Sequence, residues 1–158
     1  MARRGTLALM LPRTLFLVML VVCAACGDSG PSPSEPPADL SGAWSGQIGT
    51  SMSGTAVRLT WTATQSGNTA SGPAQLVKPA VGTEIPGTLT ATINANRASL
   101  SFSAAAGSVP TVPACAASGT GSGTVGGNSV FGTFNLTATG CSSIGIENAP
   151  GAALLLAR

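Results

Sequence analysis

The stretch AVRLTWTATQ, residues 56–65, alternates at every position: Val57, Leu59, Trp61 and Ala63 share one face, and Arg58, Thr60, Thr62 and Thr64 the other. A period of two marks a half-buried β-strand, because successive side chains leave a pleated backbone on opposite sides. SGNT, residues 66–69, follows, and its Gly67-Asn68 supplies the positive φ that a two-residue hairpin requires. Folding the chain back across that turn sets Leu59 opposite Leu76, Trp61 opposite Ala74 and Ala63 opposite Gly72. The apolar parity survives the turn, and the bulky indole meets small partners.

The same test succeeds twice more downstream. With Ala95-Asn96 as the turn, Ile93 faces Ala98, Ala91 faces Leu100 and Leu89 faces Phe102, while Thr88, Thr90, Thr92, Ser99 and Ser101 point away. With Gly127-Asn128 as the turn, Val130 faces Val125, Phe134 faces Gly121, Leu136 faces Gly119 and Ala138 faces Ala117. In that register Cys115 meets Gly140, one residue short of Cys141. A bulge at Gly140 would bring the two sulfurs together at the base of the hairpin. SGNTASG (66–72) and GGNSVFG (126–132) echo each other, as two tight hairpins recruiting the same turn residues would.

Strands around Trp44 and residues 154–156 raise the expected number to eight. From Leu40 onward Gly, Ser and Thr dominate, and no stretch supports an amphipathic helix. The expectation is an all-β domain: an eight-stranded antiparallel up-and-down meander closed into a barrel, which removes exposed edges. The alternative is an immunoglobulin-like β-sandwich, although three local hairpins in series fit a meander better than a Greek key. The glycines leave two interiors open, one narrow and filled, the other wider and partly hollow.

LSGAWSGQIG, residues 40–49, resembles the Gly-x-Trp first strand of the calycin superfamily, the lipocalins and especially the avidins, with Gly42 and Trp44 matching the motif. The resemblance implies a short barrel whose tryptophan plugs one end and whose other end holds a small apolar or amphiphilic ligand. Trp44, Trp61, Leu59, Leu89, Phe102 and Phe134 are the candidates either to line such a pocket or to fill the core. Avidin's further pocket tryptophans have no counterparts in this chain, so biotin binding is not implied.

At the other end of the sequence, Arg3, Arg4 and Arg13 precede an uncharged run, residues 14–27, that is too short to cross a bilayer core needing about 20 apolar residues. LVVCAACG, residues 20–27, resembles the lipobox of a bacterial lipoprotein. Cys26 follows Ala24 and Ala25, small enough for a signal peptidase, whereas Cys23 follows two valines and stands where the motif usually has an aliphatic residue. The resemblance implies a signal peptide over 1–25, a lipid on Cys26, a Pro/Ser-rich linker over 26–39 and a barrel domain over 40–158. The linker would extend about 3 Å per residue and hold the domain some tens of ångströms off the membrane, its partner through the lipid. Gly27 rather than aspartate after the cysteine favours the outer membrane.

Removing the signal removes three arginines, leaving Arg58, Lys78, Arg97 and Arg158 against five carboxylates, a net side-chain charge of −1. That excludes an electrostatic footprint for nucleic acid. Cys115 and Cys141 are then the only two free thiols and should pair in an oxidising envelope, at a gain of about 3 kcal/mol. The chain has no His and no Tyr, so the usual general base and zinc ligand are missing, and no metal or cofactor is expected. Glu84 and Glu147 are the only carboxylates clearly within the domain, each beside a turn, and Lys78 is the only lysine. GTGSGTVGG, residues 119–127, lacks the following helix and lysine of a phosphate loop. An enzyme is not expected. Two readings stand: a lipid-anchored barrel binding a small ligand, and a non-enzymatic structural or protein- or glycan-contacting domain displayed at the envelope.

Overall fold

The structure, a computed structural model, describes residues 36–49 and 56–158. Eight antiparallel strands form a closed barrel in sequence order: β1 (Gly42–Ile48), β2 (Val57–Ser66), β3 (Thr69–Val77), β4 (Glu84–Asn94), β5 (Arg97–Ala104), β6 (Ala116–Gly126), β7 (Ser129–Thr139) and β8 (Ala149–Ala157). This is the expected up-and-down meander, consistent with a calycin-like barrel and not a sandwich. The signal peptide, Cys26 and most of the linker lie outside the described residues.

The three hairpins take the registers that alternation dictates. Leu59 pairs with Leu76 and Trp61 with Ala74; Leu89 pairs with Phe102, Ala91 with Leu100 and Ile93 with Ala98; Gly119 pairs with Leu136, Gly121 with Phe134 and Val125 with Val130. The first ladder is interrupted where Pro73 has no N–H to donate and resumes in the same register at Thr64 and Ser71. Gly67, Ala95 and Gly127 take φ of 58°, 52° and 59°, while the asparagine after each does not enter positive φ. Positive φ at the first central residue alone is the type II′ pattern, matched to the twist of the flanking strands.

These turns also knit one rim of the barrel. The carbonyl of each turn asparagine accepts an N–H from the next hairpin or the last residue: Ile93 to Asn68 at 2.7 Å, Val125 to Asn96 at 2.7 Å and Arg158 to Asn128 at 3.1 Å. The chain leading into β1 crosses the same end. Ala38 N–H donates to Ala95 O, Leu40 N–H donates to Gln65 Oε1 at 2.6 Å, and Gln65 Nε2 donates back to Ala38 O. Leu40 is thereby held fully buried.

At the opposite end the connections are longer. The segment between β5 and β6 buries Val109, and the segment between β7 and β8, which contains a single 3-10 turn (Ser142–Ile144), buries Ile144 and Ile146. The Cys115–Cys141 disulfide ties the two segments together with both sulfurs buried. Gly140, at φ 67°, turns the chain after the last β6–β7 pair, in the bulge position the sequence marks.

Two features of β8 carry no periodic signal. Its pairing with β7 shifts register between Phe134 and Leu136, opposite Pro150 and Gly151, and Asn135 Oδ1 accepts the Gly151 N–H at 2.6 Å. Its seam with β1 is short, four pairs from Ser45–Ala157 to Ile48–Leu154. At that seam the backbones lie so close that a Cβ on Gly46 would collide with the Leu155 carbonyl.

Candidate functional site: a filled interior and a patterned outer wall

The six inward residues singled out by sequence all sit inside the barrel, with exposures of 0% for Leu59, Leu89 and Phe134, 1% for Phe102 and 2% for Trp44 and Trp61. Glycines explain how a barrel with few large side chains fills itself. The Phe102 ring occupies the space a Cβ on Gly87 would need, 2.6 Å from its Cζ, and the Phe134 ring lies over Gly119 and Gly121. Each notch in one strand thus receives a ring from its neighbour, which is how interior packing reaches crystal-like density.

The two tryptophans differ in their polar ends. Trp44 Nε1 donates to Leu40 O at 2.8 Å, and the Arg158 guanidinium stacks over its ring, 4.9 Å from the centroid. Trp44 is therefore anchored near the turn end of the barrel. Trp61 is equally buried, yet its Nε1 has no acceptor among the described residues. Arg158 also donates to Ser41 O at 2.8 Å and approaches Asp39 Oδ2 at 3.6 Å. The Ser41 N–H, which donates to the Asp39 carboxylate at 2.8 Å, and then the Arg158 charge hold the Asp39 pKa below its ordinary value.

The outer wall is as ordered as the interior. On β4 to β7, outward residues align across the ladders in three successive rows: Thr92, Ser99, Ser122 and Thr133; Thr90, Ser101, Thr120 and Asn135; Thr88, Ser103, Ser118 and Thr137. All are exposed. Neighbours are about 4.8 Å apart across strands and about 7 Å apart along them. Of the hydroxyls in this grid only Thr90 Oγ1 donates within the protein, to Ser101 O at 3.3 Å. A barrel that crosses a bilayer by its strands carries an apolar outer band; this grid is the reverse.

One further row runs Arg97, Thr124, Phe131, Leu155, Gln47, Arg58, each paired with the next, from the turn end of β5 to the opposite end of β2. Phe131 is 57% exposed and Leu155 40%. They form a ridge flanked by two shallow grooves. One, of about 360 Å³, is lined by Gln47, Arg58, Pro79 and Leu155. The other, of about 350 Å³, is lined by Arg97, Ser99, Ser122, Phe131 and Thr133, and a third depression of about 240 Å³ continues over β6 between Ser101, Thr120, Asn135 and Thr137.

Sequence reasoning did not single out Phe131, Leu155 or Arg158. Alternation alone places Phe131 outward, between inward Val130 and Gly132, so a signal was present for it. Arg158 had none, since its contact with Ser41 spans 117 residues. Glu84 and Glu147 are both exposed, and among the described residues no three His, Cys, Asp or Glu side chains group as a metal site. Comparison with protein-family models, curated proteins and solved structures finds no match.

Proposed function

We propose that this chain is a bacterial envelope lipoprotein, tethered through a lipid on Cys26 and most simply at the outer membrane, whose barrel is a non-enzymatic interaction domain working through its outer wall. The observation that carries this reading is the interior. Trp44, Trp61, Phe102 and Phe134 fill it with the protein's own rings, and Val109, Ile144 and Ile146, from the β5–β6 and β7–β8 connections, are buried at the end opposite the turns. A binding cavity of ordinary size is a concave space of hundreds of cubic ångströms that encloses most of its ligand. Here the three grooves described above lie on the outside.

One observation favours the small-ligand reading: the buried Trp61 indole N–H without an acceptor. Leaving such a donor dry costs about 1–3 kcal/mol, and a ligand carrying a carbonyl or hydroxyl oxygen would satisfy it.

Native mass spectrometry of the exported full chain in mild detergent, followed by denaturing spectra, separates the two. A chain that carries only its N-terminal modification supports the outer-wall reading. A reproducible extra mass released on denaturation, and lost in Trp61→Phe, overturns it in favour of a carrier. Replacing Cys26 by serine tests the tether: the protein should move from the membrane to the soluble fraction.

A further inference from the structure

From the grid, the groove and Phe131 together we infer that the outer face of β5, β6 and β7 binds an extended, neutral glycan chain lying along β6. This deepens the outer-wall reading and rests on it. The groove follows β6 from Thr124 to Ser118, roughly 20 Å at the rise of a strand. It owes its concavity to β6 itself, whose outward residues from Ser118 to Thr124 are all Ser or Thr and whose inward ones include Gly119, Gly121 and Gly123.

Three properties of this face select the occupant. Its walls are hydroxyls whose hydrogen bonds are, apart from Thr90, not spent within the protein, together with Asn135, whose oxygen is fixed by Gly151 so that its amide NH₂ is left to donate. Donors and acceptors at a regular spacing suit a polyol, directly or through water. At one end stands Phe131, a large exposed apolar face of the kind on which the C–H face of a sugar ring packs, bordered by donors for its hydroxyls. Charge is the third property. Arg97 is the only charged residue lining the two depressions, and no carboxylate does. A polyanion would meet one cation and a polycation none of its counter-charges, whereas a neutral chain desolvates no unpaired charge.

A second copy of this protein suits the face less well. A stable interface buries about 800 Å² per partner around an apolar centre. Phe131 and Leu155 are the only large apolar side chains exposed on this wall, and the grid beside them would be desolvated hydroxyl against hydroxyl.

The test is native affinity electrophoresis of the full chain in mild detergent, in gels cast with hydroxyethylcellulose, galactomannan, xyloglucan or dextran, with alginate as the anionic control. Retardation in at least one neutral gel is expected, with Phe131→Ala weakening it tenfold or more. The double variant Ser122→Ala/Thr133→Val should weaken it severalfold, and Thr60→Ala, on β2, should leave it unchanged, all at unaltered melting temperature. Mobility unaffected by every neutral polymer overturns the glycan assignment. So do retardation by alginate alone, retardation indifferent to Phe131→Ala, a Phe131-dependent dimer in sedimentation, and Phe131-dependent flotation with phosphatidylglycerol vesicles by the Cys26→Ser chain. None of these produces the releasable mass that would overturn the outer-wall reading itself.

Discussion

Trp44 and Trp61 are direct cross-strand partners on β1 and β2, equally buried, and among the described residues only Trp44 finds an acceptor for its indole N–H. Substitution by phenylalanine should therefore separate them. Trp44→Phe strands the Leu40 carbonyl and leaves a smaller ring for Arg158 to stack on, a loss of about 2 kcal/mol. Trp61→Phe gives up contacts but also removes an unsatisfied donor, and should stay within about 1 kcal/mol of the parent chain. Urea denaturation followed by the fluorescence of the remaining tryptophan measures both.

Arg158 joins the last strand to the segment that precedes the first. Arg158→Ala should lower stability by about 1 kcal/mol through the lost stacking and the lost bond to Ser41 O. Arg158→Lys should recover only part of it, because an ammonium cannot both lie flat on the indole and donate in a fork.

Asp39 gives this end of the barrel an acid limit. Its folded-state pKa is depressed, first by the Ser41 N–H and then by Arg158, so the stability it contributes is present above its unfolded value of 3.8. It is lost as pH falls through the lower folded value. The melting-temperature difference between the parent chain and Asp39→Asn should be constant from neutral pH down to mildly acidic conditions and should close below about pH 4.

Ala95 occupies at φ 52° the turn position that glycine holds in the other two hairpins. A Cβ in the left-handed region costs about 1–2 kcal/mol, of which extra unfolded-state freedom cancels about 0.4–1 on replacement by glycine. Ala95→Gly should raise stability by about 0.5 kcal/mol, read as a shift in the urea midpoint at unchanged slope.

The Cys115–Cys141 bond closes a loop with a sequence separation of 26. Reduction, or the double change to alanine, should cost about 3 kcal/mol. Hydrogen exchange should rise first in residues 105–115 and 140–148, the segments that the bond holds against the open strand ends, while the type II′ turns remain protected.

Much of the barrel was legible because alternation and turn chemistry agree independently at each hairpin. If Leu59 and Leu76 share a face, Trp61 and Ala74 must as well, and a slip of one residue would expose all four. What escaped lies where no period operates. Val109, Ile144 and Ile146 close one end from irregular segments, and Pro150-Gly151 shifts β8 by a local bulge. Whether the interior was filled depended on Phe134 lying over Gly119 and Gly121, a matter of ring orientation that pairing registers do not encode. The outer grid was present in the alternation of β4 to β7, but as the complement of the core pattern, the half usually set aside as solvent-facing.

The short seam between β1 and β8 has a consequence for how the ring assembles. Every other joint links strands adjacent in sequence, so each hairpin can form at small loop-closure entropy, and only this joint requires the two ends of the domain to find each other. Arg158 and Ser41, meeting at 2.8 Å across 117 residues, mark where that search finishes. A circular permutant that linked those ends and opened the chain between β3 and β4 would make the slow joint a local one. It should fold faster to the same ring, its rate-limiting closure moved to the β3–β4 ladder with its nine registered pairs.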